Sequence, residues 1–205
     1  MSSVVAIDGP AGSGKSTVAR RLATELNWSF LDTGAMYRAV TALALRAGID
    51  LTDQDRVGQL ADGCLIETVP SVSINGIDVS VEIREKAVNE GVSIVATQPR
   101  VRSAMVQRQR DWADRQPQGT VVEGRDIGSV VFPDATLKVF LTADLAERER
   151  RRHDESAGSV ARRDAIDSSR SESPLRVDDG AIVIDTTSMS IEDVVKEIRR
   201  CLKVR

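Results

Sequence analysis

Aromatic side chains are scarce in this 205-residue chain, which has three Phe, two Trp and one Tyr. So few rings cannot form the stacking platform that binds single-stranded nucleic acid. Positive charge is not in excess either, because 28 Lys and Arg are outnumbered by 31 Asp and Glu, for a net charge of −3. Both shortages argue against nucleic acid as a partner.

Histidine, cysteine and long apolar runs are equally scarce. A lone His153 excludes a metal site built from several histidines, and Cys64 and Cys201 are too far apart for a CxxC motif. We therefore expect reduced thiols in a cytoplasmic protein. No apolar run approaches the roughly 20 residues of a transmembrane helix, and the N-terminus has no signal-peptide pattern, so no membrane partner is expected. The modest size and mixed charge favour a monomer.

Short apolar runs alternate with helical patterns along most of the chain. The runs lack polar alternation, which is typical of parallel strands that are buried on both faces. They cover residues 4–8, 28–32, 120–124, 137–142 and 181–186. The alternation predicts an α/β fold with a five-stranded parallel sheet flanked by helices.

The middle of the chain breaks this pattern. Residues 64–81 alternate apolar and polar positions, and Asn75-Gly76 is typical of a hairpin turn. We interpret residues 64–99 as a small insert beside a core formed by residues 1–63 and 100–205, all within a single domain.

The segment GPAGSGKS follows the first predicted strand and opens a predicted helix. It matches the P-loop pattern, in which glycines let successive backbone N–H groups surround phosphate oxygens. Lys15 can reach the terminal phosphates, and the Ser16 hydroxyl can ligate Mg²⁺. The sequence therefore predicts a P-loop NTPase-type sheet and a nucleoside triphosphate bound by Gly9, Pro10, Ala11, Gly12, Ser13, Gly14, Lys15, Ser16 and Thr17.

A P-loop alone does not distinguish a small-molecule kinase from a nucleotide-dependent switch. The guanine-reading NKxD motif is missing, and the one DxxG string, residues 55–58, falls in a predicted helix rather than at a strand end. A kinase would instead need a second anionic pocket and an arginine-rich cover. The sequence has candidates for both, although a kinase for another metabolite and a switch protein remain alternatives.

The candidates for the second pocket follow two predicted strands. Thr33, Tyr37 and Arg38 come after the second strand, and Arg125 and Asp126 come after the third. Ligands bind at the carboxyl edge of open α/β sheets. There, an arginine can bind a phosphate through two parallel hydrogen bonds, and an aspartate can accept a hydrogen bond from an exocyclic amine such as cytosine N4.

The candidate cover is the charged segment 148–176, predicted to be a helical lid. Its charged residues recur three or four positions apart and so share helix faces: Arg148 with Arg152, and Arg163 with Asp167 and Arg170. A glycine between the two groups offers a hinge for lid closure. A solvated helical hairpin of mixed charge is the alternative, and His153 is expected to be exposed and not catalytic.

Longer motifs resemble the bacterial cytidylate kinases, the (d)CMP kinases of the nucleoside monophosphate kinase superfamily. Segments spanning nearly the full length carry the resemblance: IDGPAGSGKST, LDTGAMYR, DVSVEIR, VRSAMVQRQR, VVEGRDIGSVVFPDA, KVFLTA and RRDAIDSSRSESPL. The resemblance implies transfer of the γ-phosphoryl group of ATP to CMP or dCMP, with Mg²⁺.

The resemblance also implies roles for individual residues. It implies a CMP site lined by Thr33, Tyr37 and Arg38, with Ser93, Arg102 and Asp126 reading cytosine, Arg125 near the phosphate, and Arg163, Asp167 and Arg170 holding ribose and phosphates from the lid. The insert would be the family's CMP-binding region.

The cations are expected to carry the catalysis. Lys15, Arg125, Arg163 and Arg170 would neutralise the migrating phosphoryl group, and Arg148 and Arg152 would lie on the ATP side. Many relatives have Asp where this chain has Glu123, so the sequence leaves open whether Glu123 belongs to the Mg²⁺ shell.

Overall fold

The computed structural model describes residues 3–152, 158–169 and 175–203. The chain divides into two compact units: the first comprises Met1–Leu31 and Arg110–Arg205, and the second Asp32–Gln109. The boundaries predicted for the insert, 64 and 99, fall inside the second unit. A CMP-binding role for that insert stays a prediction.

Among the described residues, eight strands and eight α-helices are assigned. The strands are β1 (Val4–Asp8), β2 (Ser29–Asp32), β3 (Ile66–Glu67), β4 (Ser73–Ile74), β5 (Ile77–Asp78), β6 (Thr120–Glu123), β7 (Leu137–Thr142) and β8 (Ile182–Asp185). The helices are α1 (Lys15–Leu26), α2 (Thr33–Arg46), α3 (Gln54–Gly63), α4 (Lys86–Val95), α5 (Pro99–Asp114), α6 (Leu145–Arg151), α7 (Ser159–Ser168) and α8 (Ile191–Lys203). Two short turns complete them, a 3₁₀ turn at Glu82–Arg84 and a π-helical turn at Ile127–Val131.

The large sheet has the order β2-β6-β1-β7-β8, which confirms the predicted five-stranded parallel sheet. Strand β1 is central, with Val5 paired to Val121 on one side and to Leu137 on the other. The observed strands lie within the five predicted segments. Because β1 and β6 are parallel neighbours, the loops that follow Asp8 and Glu123 leave the same edge of the sheet.

The core of the first unit lies between this sheet and helices α1 and α8. Helix α8 begins after Ser190, which caps the helix because its hydroxyl accepts a hydrogen bond from the N–H of Asp193 at 3.1 Å. Helix α1 ends at Leu26 and is capped by Asn27, which has the left-handed φ of 54°. The buried core consists of Val5, Ile7, Val18, Ala19, Leu22, Ala23, Val121, Leu137, Val139, Leu141, Ile184, Val194, Val195 and Ile198.

The second unit contains helices α2, α3 and α4, most of α5, and the antiparallel sheet β3-β4-β5. The predicted hairpin is confirmed, since Ile74 pairs with Ile77 around Asn75 and Gly76. These two turn residues have φ values of 52° and 77°. Left-handed backbone at both central positions is the reason that Asn-Gly suits this turn.

The predicted lid segment contains the end of α6 and all of α7, and residues 153–157 between them lie outside the described ranges. His153 and Arg170 lie outside those ranges as well. Within the ranges that are described, none of the helices has the length and apolar character needed to cross a membrane. Cys64 and Cys201 are free thiols.

Helix α8 should contribute strongly to stability through its buried face. We expect Ile198→Ala to lower the free energy of unfolding by about 2–5 kcal/mol, because Ile198 is completely buried and truncation leaves a cavity. Denaturant unfolding would measure the loss. Ile191→Ala, at the 41% exposed start of the same helix, is the control and should cost less than about 1 kcal/mol. Equal losses in the two variants would contradict this view of the core.

Candidate active site

The P-loop leaves β1 and enters α1 with a backbone that only glycine fits. Gly9 and Gly12 have φ values of 148° and 76°, which other residues rarely adopt. A Cβ on Gly9 would collide with the carbonyl oxygen of Leu141, and one on Gly12 would lie 2.6 Å from that of Arg148. The loop is therefore packed closely against strand β7 and helix α6.

Lys15 lies at the start of α1 and is almost fully buried. Its Nζ donates a hydrogen bond to the carbonyl oxygen of Pro10 at 2.8 Å, so the ammonium group is held against the loop. Burial, followed by the nearby Arg125 charge, lowers the pKa of Lys15 from 10.5 to about 7. A polyanion bound at this loop would raise the pKa of Lys15 again, because its negative charge favours the ammonium form.

The next residue, Ser16, donates its hydroxyl hydrogen to Glu123 Oε1 at 2.6 Å. Glu123 ends strand β6 and is buried. Two hard oxygen atoms therefore meet beside the loop, the type of ligand that Mg²⁺ prefers. No group of three or more His, Cys, Asp or Glu side chains that could hold a metal is found in the described parts of the chain.

Arg125 connects three predicted elements of the first unit. Its Nη1 donates to the carbonyl oxygen of Gly9 at 2.5 Å, and its Nε donates to Asp167 Oδ2 of α7 at 2.7 Å. Asp126 follows it, is buried, and precedes the π-helical turn. The structure thus brings the P-loop, Arg125 and Asp167 together through direct hydrogen bonds.

Arg148 of α6 also contacts the loop. Its Nη1 donates to the carbonyl oxygen of Ala11 at 3.1 Å, and the same nitrogen forms an ion pair with Asp164 of α7. Asp164 Oδ1 in turn accepts the Ala11 N–H at 3.0 Å. The main-chain N–H and C=O of Ala11 are therefore both bound by side chains from the predicted lid segment. Arg152 and Arg163 are half-buried in the same segment.

The second unit holds the other five predicted substrate residues: Thr33, Tyr37 and Arg38 on α2, Ser93 on α4, and Arg102 on α5. Thr33 begins α2, and Asp32 caps this helix by accepting the Ala35 N–H at 2.9 Å. The Arg38 guanidinium lies over Gly34, where a Cβ would approach Arg38 Nη1 to 2.8 Å. Ser93 and Arg102 are buried, with exposed fractions of 4% and 5%.

Two carboxylates that belong to this site, Asp8 and Asp164, were not predicted from the sequence. Asp8 ends strand β1, and burial raises its pKa from 3.8 to about 6 although it accepts two backbone hydrogen bonds. Each of the two is adjacent in sequence to a predicted site residue, Asp8 to Gly9 and Asp164 to Arg163. The position of Asp8 beside a loop glycine, and of Asp164 beside a lid arginine, was the signal that the sequence offered. The residues that these two carboxylates bind are distant in sequence.

The buried charge of Lys15 should destabilise the chain when no anion is bound. The unfolded chain holds this proton more tightly than the folded chain does, so the penalty is complete below pH 7 and shrinks as the pH rises above 7. We expect Lys15→Met to raise the free energy of unfolding at pH 6.5 by about 1 kcal/mol or more. Denaturant unfolding in buffers without phosphate or sulfate would measure the gain, which should decrease toward pH 9.

The control for this effect is Lys196→Met, which removes an exposed lysine of α8. It should change stability by less than about 0.5 kcal/mol and with little pH dependence. A Lys15→Met protein that is less stable than the unmodified chain at pH 6.5 would refute the predicted penalty.

Comparisons with known proteins agree with the predicted resemblance. The family profile described as cytidylate kinase matches residues 5–204. The chain is 45% identical to a cytidylate kinase of Geobacillus kaustophilus over 98% of this chain and 96% of that protein. It is 43% identical to a cytidylate kinase of Caldanaerobacter subterraneus over 97% of this chain and 94% of that protein.

Solved structures show the same fold at much lower identity. Shikimate kinase of Acinetobacter baumannii in complex with shikimate aligns with a TM-score of 0.52 and 15% identity, covering 100% of this chain and 94% of that one. Thymidylate kinase of Candida albicans aligns with a TM-score of 0.53 and 12% identity, covering 99% and 92%. With a P-loop at the end of β1, a family match over nearly every residue and relatives above 40% identity, the chain belongs to the cytidylate kinase family.

Proposed function

We propose that this protein transfers the γ-phosphoryl group of ATP to CMP or dCMP, giving ADP and the nucleoside diphosphate. The hydrogen bond from Arg125 to the carbonyl oxygen of Gly9 carries the proposal. It joins the residue predicted to bind the acceptor phosphate directly to the loop predicted to bind the donor. A nucleotide switch needs no such connection, because it has no second substrate.

On the donor side, the P-loop backbone and Lys15 would bind the ATP phosphates, with Arg148 and Arg152 at the rim. The Arg148 guanidinium is already directed at the loop through Ala11. Ser16 and Glu123 would hold Mg²⁺, since a hydroxyl and a carboxylate lie 2.6 Å apart and the remaining ligands would be phosphate oxygens and water. When bound, the ion would neutralise charge on the phosphates.

On the acceptor side, Asp126 would accept a hydrogen bond from cytosine N4, and Ser93 and Arg102 would contribute to base recognition. Thr33, Tyr37 and Arg38 would contact the nucleotide from α2. Asp167 and Arg163 would act from α7, and Arg170, outside the described residues, would act from the same segment. Burial of Ser93, Arg102 and Asp126 supports this assignment because hydrogen bonds away from water discriminate bases strongly.

The chemistry requires positioning and charge neutralisation more than proton transfer. The attacking group is an oxygen of the acceptor phosphate, which is already ionised at neutral pH, so no general base is needed. Lys15, Arg125, Arg163 and Arg170 would neutralise charge on the migrating group. Closure of the predicted lid would exclude water and suppress ATP hydrolysis. The monomeric state and the cytoplasmic location predicted from the sequence remain part of this proposal.

A comparison of acceptors tests the function directly. We expect ADP formation from ATP and Mg²⁺ to be fast with CMP and dCMP and slow with UMP, AMP, GMP or no acceptor. A coupled spectrophotometric assay would measure it, and the Lys15→Met protein, purified in the same way, would report any contaminating kinase. Equal rates with all acceptors, or hydrolysis without any, would refute a closing cytidylate kinase.

Replacement of Asp126 tests base recognition. We expect Asp126→Ala to reduce the ratio of kcat/KM for CMP over UMP by about tenfold to a hundredfold, because a base-specific hydrogen-bonding contact contributes about 1–3 kcal/mol of discrimination. Competition assays with both nucleotides would give the ratio. Asp134→Ala, an exposed aspartate in the following loop, is the matched control and should leave the ratio unchanged. An unaltered ratio in Asp126→Ala would exclude the base-reading role.

A further inference from the structure

We propose that Asp8 and Arg110 are positioning residues for Arg125 and Asp126, which they fix in place by holding the two ends of the π-helical turn Ile127–Val131. This inference rests on the proposed function, because it assigns the positioning to the residues proposed to bind CMP. Neither Asp8 nor Arg110 is expected to touch substrate.

The first end of the turn is held by Asp8. Its Oδ1 accepts the Ile127 N–H at 2.8 Å, and its Oδ2 accepts the Gly128 N–H at 2.8 Å. The carboxylate is only 7% exposed. Both of its oxygens are thus used by two consecutive N–H groups that follow Asp126 directly.

The second end of the turn is held by Arg110 of α5. Its Nε donates to the carbonyl oxygen of Val131 at 2.9 Å, and its Nη2 donates to that of Val130 at 2.9 Å. Two parallel hydrogen bonds from one planar guanidinium fix the direction of the carbonyl groups as well as their distance. A negatively charged residue therefore binds the N–H end of the turn, and a positively charged residue binds the C=O end.

The turn passes this constraint to Asp126 through its own hydrogen bonds. The carbonyl oxygen of Asp126 accepts the N–H of Val130 at 2.9 Å and that of Val131 at 3.2 Å. Asp126 itself has φ −145° and ψ 26°, outside the helical region. The carbonyl group of Asp126 belongs to the turn, and its side chain lies at the start of the turn. Fixing both ends of the turn therefore fixes the carboxylate that is proposed to read the base.

Asp8 also sets the register between the turn and the P-loop. It immediately precedes Gly9, whose carbonyl oxygen accepts the Arg125 hydrogen bond. Asp8, the last residue of β1, therefore binds the backbone that follows Asp126, and Gly9, the first residue of the loop, binds the Arg125 side chain. Displacement of the turn would move the acceptor-binding residues relative to the bound ATP.

Stability alone does not account for Asp8. Burial of a carboxylate costs several kcal/mol unless its hydrogen bonds compensate for the lost hydration, and Asp126 adds repulsion while Lys15 adds attraction. A neutral side chain would avoid the cost of burying charge. What the carboxylate provides is two equivalent acceptors for two adjacent N–H groups, which Asn, with one carbonyl oxygen, cannot supply.

The test compares Arg110→Gln with Arg115→Gln in the full chain. Arg115 follows the same helix, and its Nε donates a hydrogen bond to the carbonyl oxygen of Asp111 in that helix at 2.8 Å, so it is a matched control. Steady-state kinetics would give KM for CMP, KM for ATP and the CMP-to-UMP ratio of kcat/KM, and thermal unfolding would give Tm. We expect Arg110→Gln to raise KM for CMP about tenfold and to lower the CMP-to-UMP ratio severalfold, with KM for ATP changed less than about twofold.

Asp8→Asn is the second variant and is expected to lower the same CMP-to-UMP ratio. Arg110→Lys should recover less than half of the ratio that Arg110→Gln loses, because one ammonium group cannot make both hydrogen bonds. If Arg110→Gln lowers Tm while the ratio and KM for CMP stay at the level of Arg115→Gln, the positioning role is wrong and Arg110 is merely structural. Failure of Asp8→Asn to fold would leave Arg110→Gln to decide. Failure of the unmodified chain to phosphorylate CMP would overturn the proposed function itself, which separates the two outcomes.

Discussion

The folded chain depends on balancing the positive charge that it gathers around one loop. Lys15, Arg125 and Arg148 all lie at the P-loop, and burial of unpaired cations would be costly. The chain supplies oxygen atoms as partners for these cations. Loop carbonyls bind all three groups, Asp167 pairs with Arg125, and Asp164 pairs with Arg148. The loop is thus stabilised by internal oxygen acceptors, and the phosphates it is proposed to bind would supply oxygen acceptors of their own.

This balance makes nucleotide binding an exchange of partners. Asp164 bonds to the Ala11 N–H and to Arg148, so a phosphate that approaches Arg148 competes with a carboxylate already in place. The favourable energy of new phosphate contacts is reduced by the contacts that are lost. The arrangement also couples α7 to the loop, because the carboxylates that would be released belong to that helix. Movement of the predicted lid and binding of phosphate at the loop would then break the same hydrogen bonds.

Periodicity and turn chemistry predicted the architecture well, because both are local. The five apolar runs and the Asn75-Gly76 hairpin each follow from a few neighbouring residues, and both predictions are confirmed. The P-loop was also predictable, since its pattern is contiguous. The sequence could not give Asp8 bound to Ile127 and Gly128, or Asp164 bound to Ala11, because these partners are more than one hundred residues apart. Their roles come from strand order and helix packing, which a linear pattern does not contain.

Gly12 shows that a recognition motif can also be a packing motif. Its missing Cβ leaves room for the backbone of Arg148, whose carbonyl oxygen would lie 2.6 Å from that atom. The glycine therefore has two independent reasons to stay a glycine, one in its backbone angle and one in the helix that lies against it. A motif transplanted into another scaffold would keep the first and lose the second. A chain that kept GPAGSGKS without the α6 segment would thus keep the shape of the loop but not its surroundings. Substitutions in either segment therefore restrict the substitutions that the other can accept.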